Sequence, residues 1–94
     1  ALKSDPNNGA YLDSLGWVYF KRKKYKKAQE YLKKAITNVR DPSIYQHLGD
    51  LYIHIGNPKQ ALIYYTKGLR LAPHNKMLQE KINKYERQNK TAPR

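Results

Sequence analysis

His47, Asp50 and His54 fall at positions i, i+3 and i+7 of one segment. These are side-chain types that ligate zinc. Asp50 and His54 form an i, i+4 pair that could touch one metal, whereas helical zinc sites usually pair two histidines at that spacing and take a further ligand from elsewhere. The better reading is a set of polar residues facing a groove, with no metal and no cofactor. The chain has no cysteine, which excludes disulfides and thiolate metal sites and leaves the redox compartment open. No nucleophile stands with a base, no glycine-rich loop awaits a phosphate, and no carboxylates are paired for acid–base work. An enzymatic role has no support in these residues.

A second candidate is a run of charge. Six of the seven residues from Lys21 to Lys27 are cationic (Lys21, Arg22, Lys23, Lys24, Lys26 and Lys27), broken only by Tyr25. Placed at a turn and a helix start, where the backbone already carries partial positive charge, they oppose helix stability and offer an anion site. An acidic protein, a phosphate backbone or a lipid headgroup would suit them. A solvated turn explains them too, and is the commoner meaning of such runs. Lys33, Lys34, Lys59, Lys67 and Arg70 spread the charge over other edges, which suits weak steering better than base-specific reading. No recognition-helix, RNA-module or zinc-finger pattern is present. The net charge of +12 favours acidic partners, and the abundance of Lys, Tyr, Asn and Ile is equally what AT-rich coding DNA produces.

The elements that must position these residues are helices. Apolar residues recur at helical spacing in four segments. Leu12, Leu15, Tyr19 and Phe20 mark a first helix over Gly9–Lys21, capped by Asn7 or Asn8. Ala28, Tyr31, Leu32, Ala35 and Ile36 mark a second, from about Lys24 to Asn38. Asp41-Pro42 starts a third, running to about Ile55 with Tyr45, Leu48, Leu51, Tyr52 and Ile55 inward. Gly56-Asn57-Pro58 ends it and starts a fourth, to about Leu71, which buries Ala61, Leu62, Tyr65 and Leu69. A fifth is expected over 76–88 with Met77, Leu78, Ile82 and Tyr85 on one side, and 90–94 reads as a frayed tail. No segment alternates as a strand does, so the chain is all-α. No apolar run approaches the roughly 20 residues that span a bilayer. The N-terminus shows no signal-peptide pattern.

The helices repeat. Leu15-Gly16-x-x-Tyr19 returns as Leu48-Gly49-x-x-Tyr52, Ala28 as Ala61, Tyr31 as Tyr64, and Ala35 is answered by Gly68, each 33 positions on. A fixed period of this size marks an array whose units bury their apolar faces only by stacking. Glycine within a helix costs about 1 kcal/mol relative to alanine. Two at equivalent places predict a close approach of the paired helices, answered by the small Ala28 and Ala61, with Tyr19 and Tyr52 filling the wider gap a turn further on and their hydroxyls free to reach water or a carbonyl.

On these residues the chain resembles the tetratricopeptide repeat family. One unit reads Leu12, Leu15-Gly16, Tyr19, Ala28, Leu32. The next reads Tyr45, Leu48-Gly49, Tyr52, Ala61, Tyr65, Pro73. Residues 1–8 are similar to the closing segment of a preceding unit, and Tyr11-Leu12-Asp13-Ser14-Leu15-Gly16-Trp17 is similar to repeats of large bacterial members. Two departures stand out: a spacing of 33 where the family has 34, and Arg40 where the first unit's closing proline belongs. The resemblance implies an antiparallel helix-hairpin solenoid with a C-terminal capping helix, divided as 1–8, 9–41, 42–75, 76–89 and a tail 90–94. The polar side of the last helix (Lys81, Lys84, Gln88) would face water. The chain is then expected to be a piece of a longer array, and its compartment, cytoplasmic or bacterial envelope, is left open.

The resemblance also implies a groove lined by the first helix of each hairpin. Asp13, Trp17, Phe20, Gln46, Asp50, Ile53 and His54 would line it, continued by Glu80, Lys84 and Arg87. Trp17 with Phe20 and Ile53 would anchor a partner helix or extended peptide, unless Trp17 is simply core. Members that grip a C-terminal carboxylate use five polar, mostly cationic residues. The matching positions here are Asp13, Trp17, His47, Met77 and Lys81, of which only the last is cationic, so a clamp of that type is not expected. The expected function is a non-catalytic scaffold for a peptide or partner helix, acidic partners included. The alternative is nucleic-acid or anionic-surface binding through 21–27. Self-association through the first helix's open face is a further expectation.

Overall fold

The computed structural model describes residues 8–91; side chains are described to Gln88. Within them lie five helices and no strand: α1 (Gly9–Lys21), α2 (Tyr25–Asn38), α3 (Pro42–His54), α4 (Pro58–Leu71) and α5 (Lys76–Thr91). The starts are set locally. Asn8, Asp41, Asn57 and Asn75 each accept a backbone N–H of the helix that follows, at 2.9–3.2 Å, and Pro42 and Pro58 occupy first-turn positions where no N–H is needed. The start of α2 is different. Lys24 stands at its N-cap and supplies no side-chain hydrogen bond.

The helices pair as antiparallel hairpins, α1 with α2 and α3 with α4. Each second helix then packs on the next first helix, α2 on α3 and α4 on α5. The body is elongated, 51 × 29 × 17 Å, as a row of stacked helices must be. One continuous core runs through it, with Leu32, Ile44, Leu48, Leu51, Tyr65 and Leu78 its largest fully buried side chains.

Stacking decides which equivalent residues are buried. Ile44 and Leu51 on α3 are sealed by α2, while their equivalents 33 positions earlier, Tyr11 and Val18 on α1, are 52% and 48% exposed. The inward stripe of α3 therefore includes Ile44, which helical spacing alone did not single out. Ile55, expected inward, lies past the helix end and is 43% exposed. On α5 the stripe is Leu78, Ile82 and Tyr85, and Met77 is 52% exposed rather than buried. These three lie 34, not 33, positions after Ile44, Leu48 and Leu51, so the extra residue falls between α4 and α5.

Helix α5 also continues through Thr91, two residues into the expected tail. Residues 92–94 of that tail, and residues 1–7 of the expected remnant of a preceding unit, lie outside the described residues.

The paired glycines do mark close approach; the Ala28 carbonyl oxygen would lie 3.3 Å from a Cβ on Gly16, but the nearest atoms at both glycines belong to larger side chains. A Cβ on Gly16 would lie 2.7 Å from Leu32 Cγ, and one on Gly49 would overlap the Tyr65 ring. A large side chain enters each glycine notch, as ridges enter grooves. Ala28 and Ala61 are buried nearby. The Tyr52 hydroxyl, expected at water or a carbonyl, instead accepts a 2.8 Å hydrogen bond from Gln29 Nε2, tying α2 to α3 across the unit boundary.

Candidate functional site

Trp17 stands at the middle of α1 with His47 stacked on it from α3, centroids 4.3 Å apart, and Phe20 stacked beside it at 4.7 Å. His54 meets Phe20 edge-on at 4.9 Å, and Tyr25 at the start of α2 tilts against both. Rings from three helices thus form one continuous row. One carboxylate and one backbone carbonyl orient its two imidazoles. His47 Nδ1 donates to Asp13 Oδ1 at 2.7 Å, since an ionised carboxylate only accepts. The His54 ring is held by Nδ1 at 3.3 Å from the carbonyl oxygen of Asp50.

Asp50 is the polar centre. Its Oδ1 accepts the Tyr65 hydroxyl at 2.5 Å and lies 3.2 Å from Lys81 Nζ. Tyr65 is fully buried. Burial first, then the hydrogen bond and charge of Asp50, push its phenol well above the ordinary tyrosine value. It stays protonated at physiological pH and acts as a permanent donor. Lys81 Nζ also lies 5.8 Å from the Tyr65 ring centroid, satisfying the ammonium on two sides.

Between these groups is a hollow of about 310 Å³. It is walled by Trp17 and Phe20 from α1, by Asp50, Ile53 and His54 from α3, by Tyr65 from α4, and by Lys81 and Tyr85 from α5. Of the expected groove residues, Trp17, Phe20, Asp50, Ile53 and His54 are brought together here. Asp13 stands behind His47, and Gln46 is half-buried on α3 outside the hollow. Lys84 is a correction. It is exposed, with Nζ 5.3 Å from the Tyr85 ring centroid, while Lys81 takes the groove position. Turning Leu78 and Ile82 into the core fixes that choice. Lys81, expected both on the water-facing side of a cap and at the last of the five clamp-matching positions, stands in the groove. Glu80 and Arg87 are exposed on α5 and do not wall the hollow.

Two contributors escaped sequence reasoning: Tyr65 and Tyr85 read as core stripe, whereas His47 was already expected at the groove. One signal was present: His47 and Lys81 are 34 apart, the family's own period, and each reaches back to an aspartate of the preceding inner helix. Among the described residues no group of three His, Cys, Asp or Glu side chains converges as a metal site would.

The charge is segregated. Helix α1 carries one Lys and no Arg, and α3 carries neither, whereas α2 holds four lysines and α4 two lysines and an arginine. Lys21, Arg22, Lys23, Lys24, Lys26 and Lys27 are all exposed and do not wall the hollow. The groove itself is aromatic, with Asp13 hydrogen-bonded to His47 and Asp50 paired with Lys81, the one Lys or Arg of its lining.

Residues 1–81 match the family model of the tetratricopeptide repeat. A TPR repeat-containing protein of Methanocaldococcus jannaschii is 33% identical over 72 residues, which are 77% of this chain and 13% of that protein. Another, of Pseudomonas aeruginosa, is 36% identical over 50 residues, 53% of this chain and 8% of that protein. The chain thus spans a small part of the length of these relatives. Repeats of this kind generally mediate protein–protein interaction as non-catalytic scaffolds. With stacked helical hairpins, glycine notches filled from the facing helix and a family match over most of its length, the chain belongs to the tetratricopeptide repeat family.

Proposed function

We propose that this chain is a non-catalytic interaction module that holds a peptide segment or partner helix of another protein in the groove of its inner helices. An apolar or aromatic side chain of that partner enters the hollow between α1, α3, α4 and α5. The observation that carries this reading is the hollow itself. Its walls are mostly rings, and its polar groups are already held in place by Tyr65, Asp50 and Lys81. Preorganised aromatic walls with a few oriented polar atoms are what anchor-residue binding needs. The pairing of Lys81 with Asp50 favours an apolar anchor over a strongly acidic one.

Trp17 is the only tryptophan, so the groove contains its own reporter. Peptides selected from a random library on the immobilised chain should shift Trp17 emission. They should bind Ile53→Glu and His54→Ala about tenfold more weakly or worse, with helix content by circular dichroism unchanged. Selected peptides that bind these variants as tightly as the parent would remove the groove from the proposal.

A further inference from the structure

The outer face of α4 carries a feature its counterpart on α2 lacks. Ile63 is 46% exposed, and the residue 33 positions earlier is Glu30, so an apolar side chain stands in an outward row where the first unit places an acid. Around Ile63 the row is cationic: Lys59 one turn before, Lys67 one turn after, then Arg70, all exposed. Helix α4 contains no Asp or Glu. Leu62, Ile63, Thr66, Lys67 and Arg70 enclose a shallow hollow of about 270 Å³. An enclosed cavity of ~150 Å³ is enough to hold a benzene ring, so this one has room for one branched or aromatic side chain.

We propose that this face is a second docking surface, separate from the groove, for an acidic amphipathic segment of a partner protein. The partner seats one apolar side chain over Leu62 and Ile63 and places carboxylates on Lys67 and Arg70. Charge complementarity selects an acidic occupant, because every charged residue of α4 is a cation. The apolar floor then selects a protein over the other polyanions. A nucleic acid would use aromatic platforms for its bases, and this hollow is lined by none. A membrane would need an extended apolar stripe rather than one isoleucine between lysines.

The probe is a fluorescein-labelled synthetic peptide in which Leu recurs at helical spacing among Glu residues, read by anisotropy on the whole chain. Binding should weaken about tenfold in Ile63→Glu and in the double variant Lys67→Glu, Arg70→Glu. It should weaken similarly when the peptide's leucines become alanines. Lys26→Glu with Lys27→Glu on α2 should cost at most a few-fold. Trp17→Ala should change nothing, which separates this surface from the groove. The proposal is overturned if Ile63→Glu binds as the parent does, or if reversing the α2 charges is as damaging as reversing those of α4. It is equally overturned if the chain ignores the peptide but binds an oligothymidine or phosphatidylserine vesicles through the same residues. The substituted side chains of α2 and α4 are exposed and Trp17 is half-buried, and a preserved thermal transition confirms that each variant is folded.

Discussion

Lys23 and Gly56 occupy the same position of successive hairpin turns, 33 residues apart, and both have positive φ, 63° for the lysine and 82° for the glycine. Glycine accepts this conformation freely, whereas a residue with a Cβ meets the adjacent carbonyl there at a cost of roughly 1–2 kcal/mol. The next residue repeats the contrast. Asn57 caps α4, and its equivalent Lys24 leaves α2 uncapped. The basic turn is therefore the less favourable of two copies of one structure.

Lys23→Gly should accordingly stabilise the chain by about 0.5–1 kcal/mol, after the entropic cost of a new glycine. Lys24→Asn should add about 1 kcal/mol by capping α2 and removing a cation from its positive end. Urea unfolding would show both as a raised midpoint at constant slope. An unmoved midpoint in both variants would mean that the turn carries no strain.

Gly49→Ala should be among the most damaging single-methyl additions in the molecule. The new Cβ would overlap the buried Tyr65 ring, which can retreat only by giving up its hydrogen bond to Asp50. A net loss of about 2–3 kcal/mol is expected, since overpacking outweighs the helix propensity gained from alanine. Gly16→Ala meets the more pliable Leu32 and should cost less. Combining Gly49→Ala with Tyr65→Leu, which copies the first unit's pairing, should recover part of the loss. Strict additivity in that double variant would show that ring and glycine are not coupled.

Tyr65→Phe keeps the ring in its notch and deletes the donor to Asp50. A loss of about 1–2 kcal/mol at neutral pH is expected, because one hydrogen bond to a charged acceptor disappears while Lys81 remains. The pH dependence has a definite sign. The Tyr65 phenol is raised above its unfolded value, so its contribution is complete below the ordinary tyrosine pKa of about 10 and drains away as pH climbs past it. The stability difference between parent and Tyr65→Phe should be flat from neutral pH to about 9 and shrink above 10. Chemical denaturation at several alkaline pH values measures it, and a gap that widens with pH would contradict the assignment.

Sequence alone fixed the scaffold. Spacing of apolar residues, Asn and Asp caps, first-turn prolines and Gly56 are local signals, and they placed α1–α4 to within a residue at each end. The twice-used Leu-Gly-x-x-Tyr set announced paired helices in close approach. Tertiary structure decided the rest, because burial in a stacked array depends on what lies next door. Ile44 and Tyr11 hold the same position in two units, yet one is sealed by α2 and the other faces solvent. The groove's cation is Lys81 rather than Lys84 because the core claimed Leu78 and Ile82 and so set the rotation of α5. Periodicity names the face of a helix; only the neighbouring helix settles how that face is turned and which polar group it carries to the site.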